Sequence, residues 1–374
     1  MTPRDRVLVA LAHQLPDVVP AYVRNVIGWE RHAAYLGAVT LTELMQRLGN
    51  TILSFSPTYL ASDPPASAAE HSPGLPPIWG FAGDMEPYTY SDTLPRPLAH
   101  AQTAADVEAF AWPSGSAQAW DFARLRAQLA TETRHARLSP SWTPFFSQLC
   151  GLFGMEQAMI NLHWNRAVVE AALAHLDDFY TQFFQNLLGT CGDQLDIFGL
   201  GDDFAGSRGL LIRPEMWRQL LKPRYAHWIG MAKARSLPTL LHSCGVVLEV
   251  LPDLIEIGLD AWQTVQTHLP GQDAAQIKRR FGKHLTFVGA IDTTNVLSFA
   301  SPEEIRRHVE RQILALGEAG GYICAPDHTI MEEVPPENVS ALYRAVADFR
   351  RPGYTLAPSN DGVAGHDPGN RSSA

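Results

Sequence analysis

The segment Leu241-His242-Ser243-Cys244-Gly245 sets an imidazole and a thiol two residues apart, where an apolar run gives way to glycine. In an extended chain residues i and i+2 point to the same side, and a glycine just beyond lets the backbone turn, so the two side chains can converge on one ion. Zinc accepts nitrogen and sulfur donors together and holds them tetrahedrally. The same pair can instead be a packed thiol beside a hydrogen-bonded imidazole. Further soft donors tip the balance toward metal: Cys324 and His328 both occur in "YICAPDHTI", past the last apolar run of the chain. Either can supply a third ligand.

A second constellation is the adjacent pair Asp202 and Asp203 in "GLGDDFAGSRG". Neighbouring carboxylates raise one another's pKa and can serve as acid, base or substrate clamp, although an aspartate here can equally cap a following turn. Arg24 is suited to an anionic substrate group or to a structural ion pair. Ser56, Trp142, Gln263, Gln266 and Asp292 follow other apolar runs and are candidate substrate-binding residues. Without a metal, Asp202 or Asp203 with His328 would form an acid and base pair, and Arg24 would hold a carboxylate.

These residues need a scaffold that brings strand ends together. Short apolar or β-branched runs alternate with helical patterns, and strands are expected at Pro20 to Arg24, Thr51 to Ser56, Arg137 to Ser141, Leu195 to Leu200, Thr239 to His242, Leu259 to Gln263, Leu285 to Gly289 and Gly321 to Cys324. Eight βα units with no G-x-G-x-x-G after the first strand point to an α/β fold of the closed (β/α)₈ TIM-barrel type, whose reacting groups sit at the C-terminal ends of the strands. Helices are signalled by "SPEEIRRHVERQILAL", with a Ser301/Glu304 capping box, by Pro214 in "RPEMWRQLLKPRY", and by "DAAQIKRRFG", stopping at Gly282. One barrel domain is expected over residues 1–352. A Pro/Gly-rich insertion at about 62–120 would lie over the mouth, with a small hairpin around Tyr88 to Thr93, and a disordered tail would follow over 353–374.

The 374 residues are 46% apolar, enough for a sizeable core, and a net charge of −10 without long single-sign blocks argues against nucleic acid or anionic membrane as a partner. Four scattered cysteines fit reduced thiols and a cytoplasmic location, and no apolar run of about 18 residues is present to span a membrane.

The segments "RDRVLVALAHQLPDVVP", "LGDDFAGSRGLLIRPEMWRQLLKPRY", "LLHSCGVVLEVLPDLIEIGLDAWQTVQ", "KRRFGKHLTFVGAID" and "GGYICAPDHTIMEEVPPENVSALYRAV" together resemble the uroporphyrinogen decarboxylase superfamily, and within it the corrinoid- and coenzyme-M-linked methyltransferases. The resemblance implies a (β/α)₈ barrel with its pocket at the C-terminal mouth. It also implies zinc held by His242, Cys244 and a later residue, either His328 or Cys324. The chain would exchange a methyl group between a small substrate, a thiol or a methoxylated compound, and cobalamin carried by a separate corrinoid protein. Family members often pair, so a homodimer is among the implied partners. Porphyrinogen decarboxylases carry an arginine-rich first loop and an F-S-D aspartate after the second strand; here Arg24 stands alone and Pro57 takes the aspartate's place. Proline can neither bond pyrrole N–H groups nor balance a developing positive charge, which argues against that decarboxylation. A metal-independent decarboxylase or lyase, or a non-catalytic ligand-binding barrel, are the alternatives.

Overall fold

The computed structural model describes residues 1–60 and 96–350. Parallel strands β1 (Ile52–Ser54), β2 (Ala136–Leu138), β3 (Phe198–Gly201), β4 (Thr239–His242), β5 (Ala261–Val265), β6 (Thr286–Ile291) and β7 (Tyr322–Pro326) follow one another in chain order. β2 reaches β3 through a parallel bridge from Leu138 to Ile197, and Ala21 is bridged to Asn50 on one side and to Cys324 on the other. The ring is therefore closed, a TIM barrel as the alternating pattern predicts. Its first stave is shorter than expected. The Asn50 side chain, rather than a neighbouring strand, takes the Val23 N–H at 3.0 Å, so the ladder stops after Ala21.

Strand alternation sorts the side chains. Leu240, Ala261, Val288, Ile323 and Ala325 point into the barrel, while Leu241, Trp262, Phe287, Tyr322 and Cys324 point out under the helices. Helix α1 (Pro3–Leu11) closes the N-terminal end with Val7, Ala10 and Leu11 in the inner cluster. The same period of two sets His242, two residues after Leu240, and Gln263, two after Ala261, on the inner face at the opposite end.

Around this ring pack, among others, α2 (Phe146–Phe153), α3 (Arg166–Cys191), α4 (Pro214–Leu220), α5 (Ala274–Phe281), α6 (Pro302–Leu316) and α7 (Pro336–Asp348). The α6 capping box forms, and Ile305, Val309, Ile313 and Leu316 are fully buried along one stripe. Helix α5 ends at Phe281, just ahead of Gly282. The end of the expected insertion belongs to the core: Leu98, Val107 and Trp120 are buried, and Trp120 meets Phe183 of α3 with ring centroids 4.9 Å apart. The Tyr88 to Thr93 hairpin and the tail beyond 350 lie outside the described residues.

Candidate functional site

His242 ends β4, buried at the barrel mouth. Its Nε2 faces three groups: Arg24 Nη1 at 3.1 Å, Cys244 Sγ at 3.5 Å and Asp203 Oδ1 at 3.8 Å. Just beyond the Gly201–His242 pair that ends the ladder, the Asp203 carboxylate accepts the Cys244 backbone N–H at 2.7 Å. Gly245 makes the turn after the thiol. Its φ is +85°, and a Cβ would lie 2.7 Å from the Ala205 carbonyl, so both conformation and space demand glycine. Its N–H donates to Gln266 Oε1 at 2.7 Å, tying the loop after β4 to the loop after β5.

Trp142 forms one wall, edge-on to His242 with centroids 5.9 Å apart and with the Arg24 guanidinium 6.0 Å above its ring. Gly201 makes that placement possible: a Cβ there would lie 2.1 Å from the Ser141 carbonyl oxygen and 3.0 Å from the Trp142 ring. The electrostatics keep the imidazole and the thiol neutral. Burial, then the charges of Arg24 and His328, hold His242 well below its ordinary pKa, while Gln263 works the other way. Burial and Asp203 push the Cys244 thiol well up. Burial, and to a lesser degree Asp202, raise Asp203 to about 6 against the Cys244 N–H and Arg24.

The three donors fit zinc. Nitrogen, sulfur and oxygen ligands at about 2.0–2.3 Å from a tetrahedral centre stand roughly 3.4–3.6 Å from one another. The 3.5 Å and 3.8 Å separations match within a small adjustment, and all three donor atoms lie within 4.8 Å of one another. A fourth position would remain for substrate, as catalytic zinc sites require.

Several sequence expectations need correction. Cys324 is not at the mouth: on β7 it alternates with the inward Ile323 and Ala325, lies fully buried in the outer layer, and burial pushes its thiol up to about 12. Asp202 faces away from His242. Its carboxylate accepts the backbone N–H groups of Phe145, Phe146 and Ser147, the Ser147 hydroxyl and the Tyr225 hydroxyl, at 2.8 to 3.0 Å, and so caps α2 from outside that helix. His328 stands at the rim, close enough to depress His242, but the third convergent donor is Asp203. Ser56 is half-buried in the loop after β1 and makes no hydrogen bond to this group among the described residues.

Asp292 belongs to a different cluster. It faces His268 Nδ1 at 3.8 Å, and Asp327 Oδ2 lies 2.9 Å from the same nitrogen. His268 and Asp327 were not singled out from the sequence, although both follow strands, after β5 and β7, and that position alone was a signal.

The uroporphyrinogen decarboxylase (URO-D) family model matches residues 140–349, more than half of the chain. A uroporphyrinogen decarboxylase of Cellvibrio japonicus is 33% identical over 125 residues, 32% of this chain and 32% of that protein. A methylated-thiol–coenzyme M methyltransferase of Methanosarcina mazei is 26% identical over 158 residues, 42% of this chain and 39% of its own length. The chain thus aligns with well under half of each of these curated relatives. Among solved structures, a methyltransferase from Methanosarcina mazei matches 93% of this chain and 99% of its own with a TM-score of 0.64 at 17% identity, a likeness of fold.

Proposed function

The chain belongs to the uroporphyrinogen decarboxylase family, and from that premise we propose that it is a zinc-dependent methyltransferase, moving a methyl group between a small substrate, a thiol or a methoxylated compound, and a separate corrinoid protein carrying cobalamin. One observation carries the reading: three donors converge at the barrel mouth, His242 Nε2 lying 3.5 Å from Cys244 Sγ and 3.8 Å from Asp203 Oδ1. Zinc held there would polarise the sulfur or oxygen atom that gives or takes the methyl group. Arg24 supplies a fixed positive charge at the same opening for an anionic group of the substrate, and Trp142 gives an apolar wall that keeps water from one side. Gln266 fixes the turn that aims Cys244. His328, at the rim, is positioned to exchange a proton with a leaving alkoxide or an entering thiol.

The assay is methyl transfer with free cobalamin. Methylcobalamin plus small thiols, and reduced cobalamin plus methoxylated aromatics, would be followed by the corrin spectrum, with zinc content measured on protein purified without chelator. Turnover and bound zinc that are both lost in Cys244→Ser support the reading; zinc-free protein in which that variant keeps full turnover defeats it.

A metal-independent decarboxylase is the second reading, favoured by the Arg24 guanidinium 3.1 Å from His242 Nε2, where it puts a cation without any metal. Asp203, raised to about 6, would then be the proton donor. Carbon dioxide release that survives chelation would favour it.

A further inference from the structure

His268, Asp292 and Asp327 come from the loops after β5, β6 and β7, whereas the first donor set comes from the ends of β3 and β4. One ligand atom from each of the three residues lies within 4.8 Å of the others, with His268 Nδ1 3.8 Å from Asp292 Oδ1 and 2.9 Å from Asp327 Oδ2. Both carboxylates are buried and held from behind. Asp292 Oδ1 accepts the N–H groups of Thr294 and Asn295, and its Oδ2 accepts the Asn295 amide. Asp327 Oδ1 accepts the Thr293 N–H and hydroxyl. Asp327 Oδ2 has no hydrogen-bond donor although its residue is fully buried. The His268 ring nitrogen lies 2.9 Å away and forms an ion pair with it when the imidazole is protonated. A buried carboxylate oxygen facing an imidazole nitrogen and a second carboxylate is a convergent donor set in which a metal ion can take the place of the imidazole proton.

We propose that His268, Asp292 and Asp327 form a second metal site, for a divalent first-row transition ion that favours nitrogen and oxygen donors in octahedral geometry, the manganese or cobalt class. The 2.9 Å separation of His268 Nδ1 from Asp327 Oδ2 is that of two adjacent octahedral ligands at about 2.1 Å from an ion, while Asp292 Oδ1, 3.8 Å from the same nitrogen, would have to move inward on binding. The absence of sulfur separates its preference from that of the first set. With three protein ligands, the remaining positions are open to water or to an oxygen-bearing substrate. Asp327 also pushes up the Cys244 thiol, so the two sets are within electrostatic reach of each other.

The test uses the full chain stripped of metal and titrated with Mn²⁺, free ion being read from its aqueous EPR spectrum, and with Co²⁺ read by absorption. The expected result is one Mn²⁺ taken up by the parent and by Cys244→Ser, with affinity at least tenfold weaker in both His268→Ala and Asp327→Asn. The second variant keeps an acceptor oxygen for Thr293, so it reports charge rather than lost packing, and near-UV circular dichroism verifies that each variant is folded. In the parent, Co²⁺ at this site gives only weak ligand-field bands, while any thiolate-to-cobalt band disappears in Cys244→Ser and persists in His268→Ala. Mn²⁺ binding that is unchanged in His268→Ala, lost in Cys244→Ser, or absent from the folded parent overturns the proposal. Failure of the zinc reading leaves these Mn²⁺ measurements unaffected.

Discussion

Asp202 and Asp203 are adjacent, yet they meet opposite surroundings. Successive residues of an extended chain point to opposite sides, so one carboxylate had to turn toward the helices and one toward the mouth. The sequence displays the pair but not its phase, and phase decides role: Asp202 gathers five donors around α2. Asp202→Asn therefore turns an amide toward backbone N–H groups and should lower unfolding free energy by about 3 kcal/mol, the upper end for leaving buried hydrogen-bonding groups unsatisfied. Asp203→Asn should leave the urea midpoint nearly unchanged and weaken zinc binding instead. Equal losses of stability in the two variants would refute this division. Arg24 gives a sharper test, because its Nη1 and any bound ion compete for His242 Nε2. Arg24→Met removes both that competitor and a repelling charge, so zinc affinity measured against a chromogenic chelator should rise; a fall would mean that the guanidinium helps to assemble the donors.

At the scale of the element, the end of β4 was the most legible part of the chain. The apolar run Thr239 to His242 is the strand observed, and the glycine expected to turn the backbone does so at Gly245. Cys324 obeys the same period of two: on β7 the inward residues are Ile323 and Ala325, and the thiol between them must face out, away from the mouth where its nearness to His328 in sequence suggests it. The third convergent donor, Asp203, depends on register between β3 and β4, which no local pattern displays. That register makes Gly245 a point of failure. Gly245→Ala demands a left-handed φ and a Cβ 2.7 Å from the Ala205 carbonyl, so a loss of about 1–3 kcal/mol is expected in urea unfolding. Because the turn aims Cys244, zinc affinity should fall as well. A variant with parent-like stability and affinity would show that the loop relaxes freely.

For the whole molecule, alternation of strand and helix patterns foretold a closed barrel, but not what plugs its lower end. Helix α1 does so, and its hold on the barrel passes through Asp196, which lies just ahead of β3. Arg4 of α1 donates to Asp196 Oδ1 at 2.7 Å and Arg137 of β2 to Oδ2 at 2.9 Å, with the carboxylate nearly buried. Burial works to raise the Asp196 pKa, but the guanidiniums of Arg137 and Arg4 outweigh it and leave the carboxyl below the ordinary range. Asp17 is likewise drawn down to about 2, burial being outweighed by Arg6 of the same helix. Both folded values lie below the unfolded value of about 3.9, so the unfolded chain binds protons first as the solution is acidified. The stabilisation is complete above about pH 4 and drains away as pH falls through the folded values. Asp196→Ala should cost about 3 kcal/mol near neutrality, the low end for breaking a buried pair because Arg4 is 36% exposed and its share is screened. The gap between parent and variant urea midpoints should then hold steady from pH 7 to about 5 and shrink below about pH 4. A gap constant down to pH 3 would mean that Asp196 acts through shape and hydrogen bonding alone, and that the seal between α1 and the barrel does not depend on its charge.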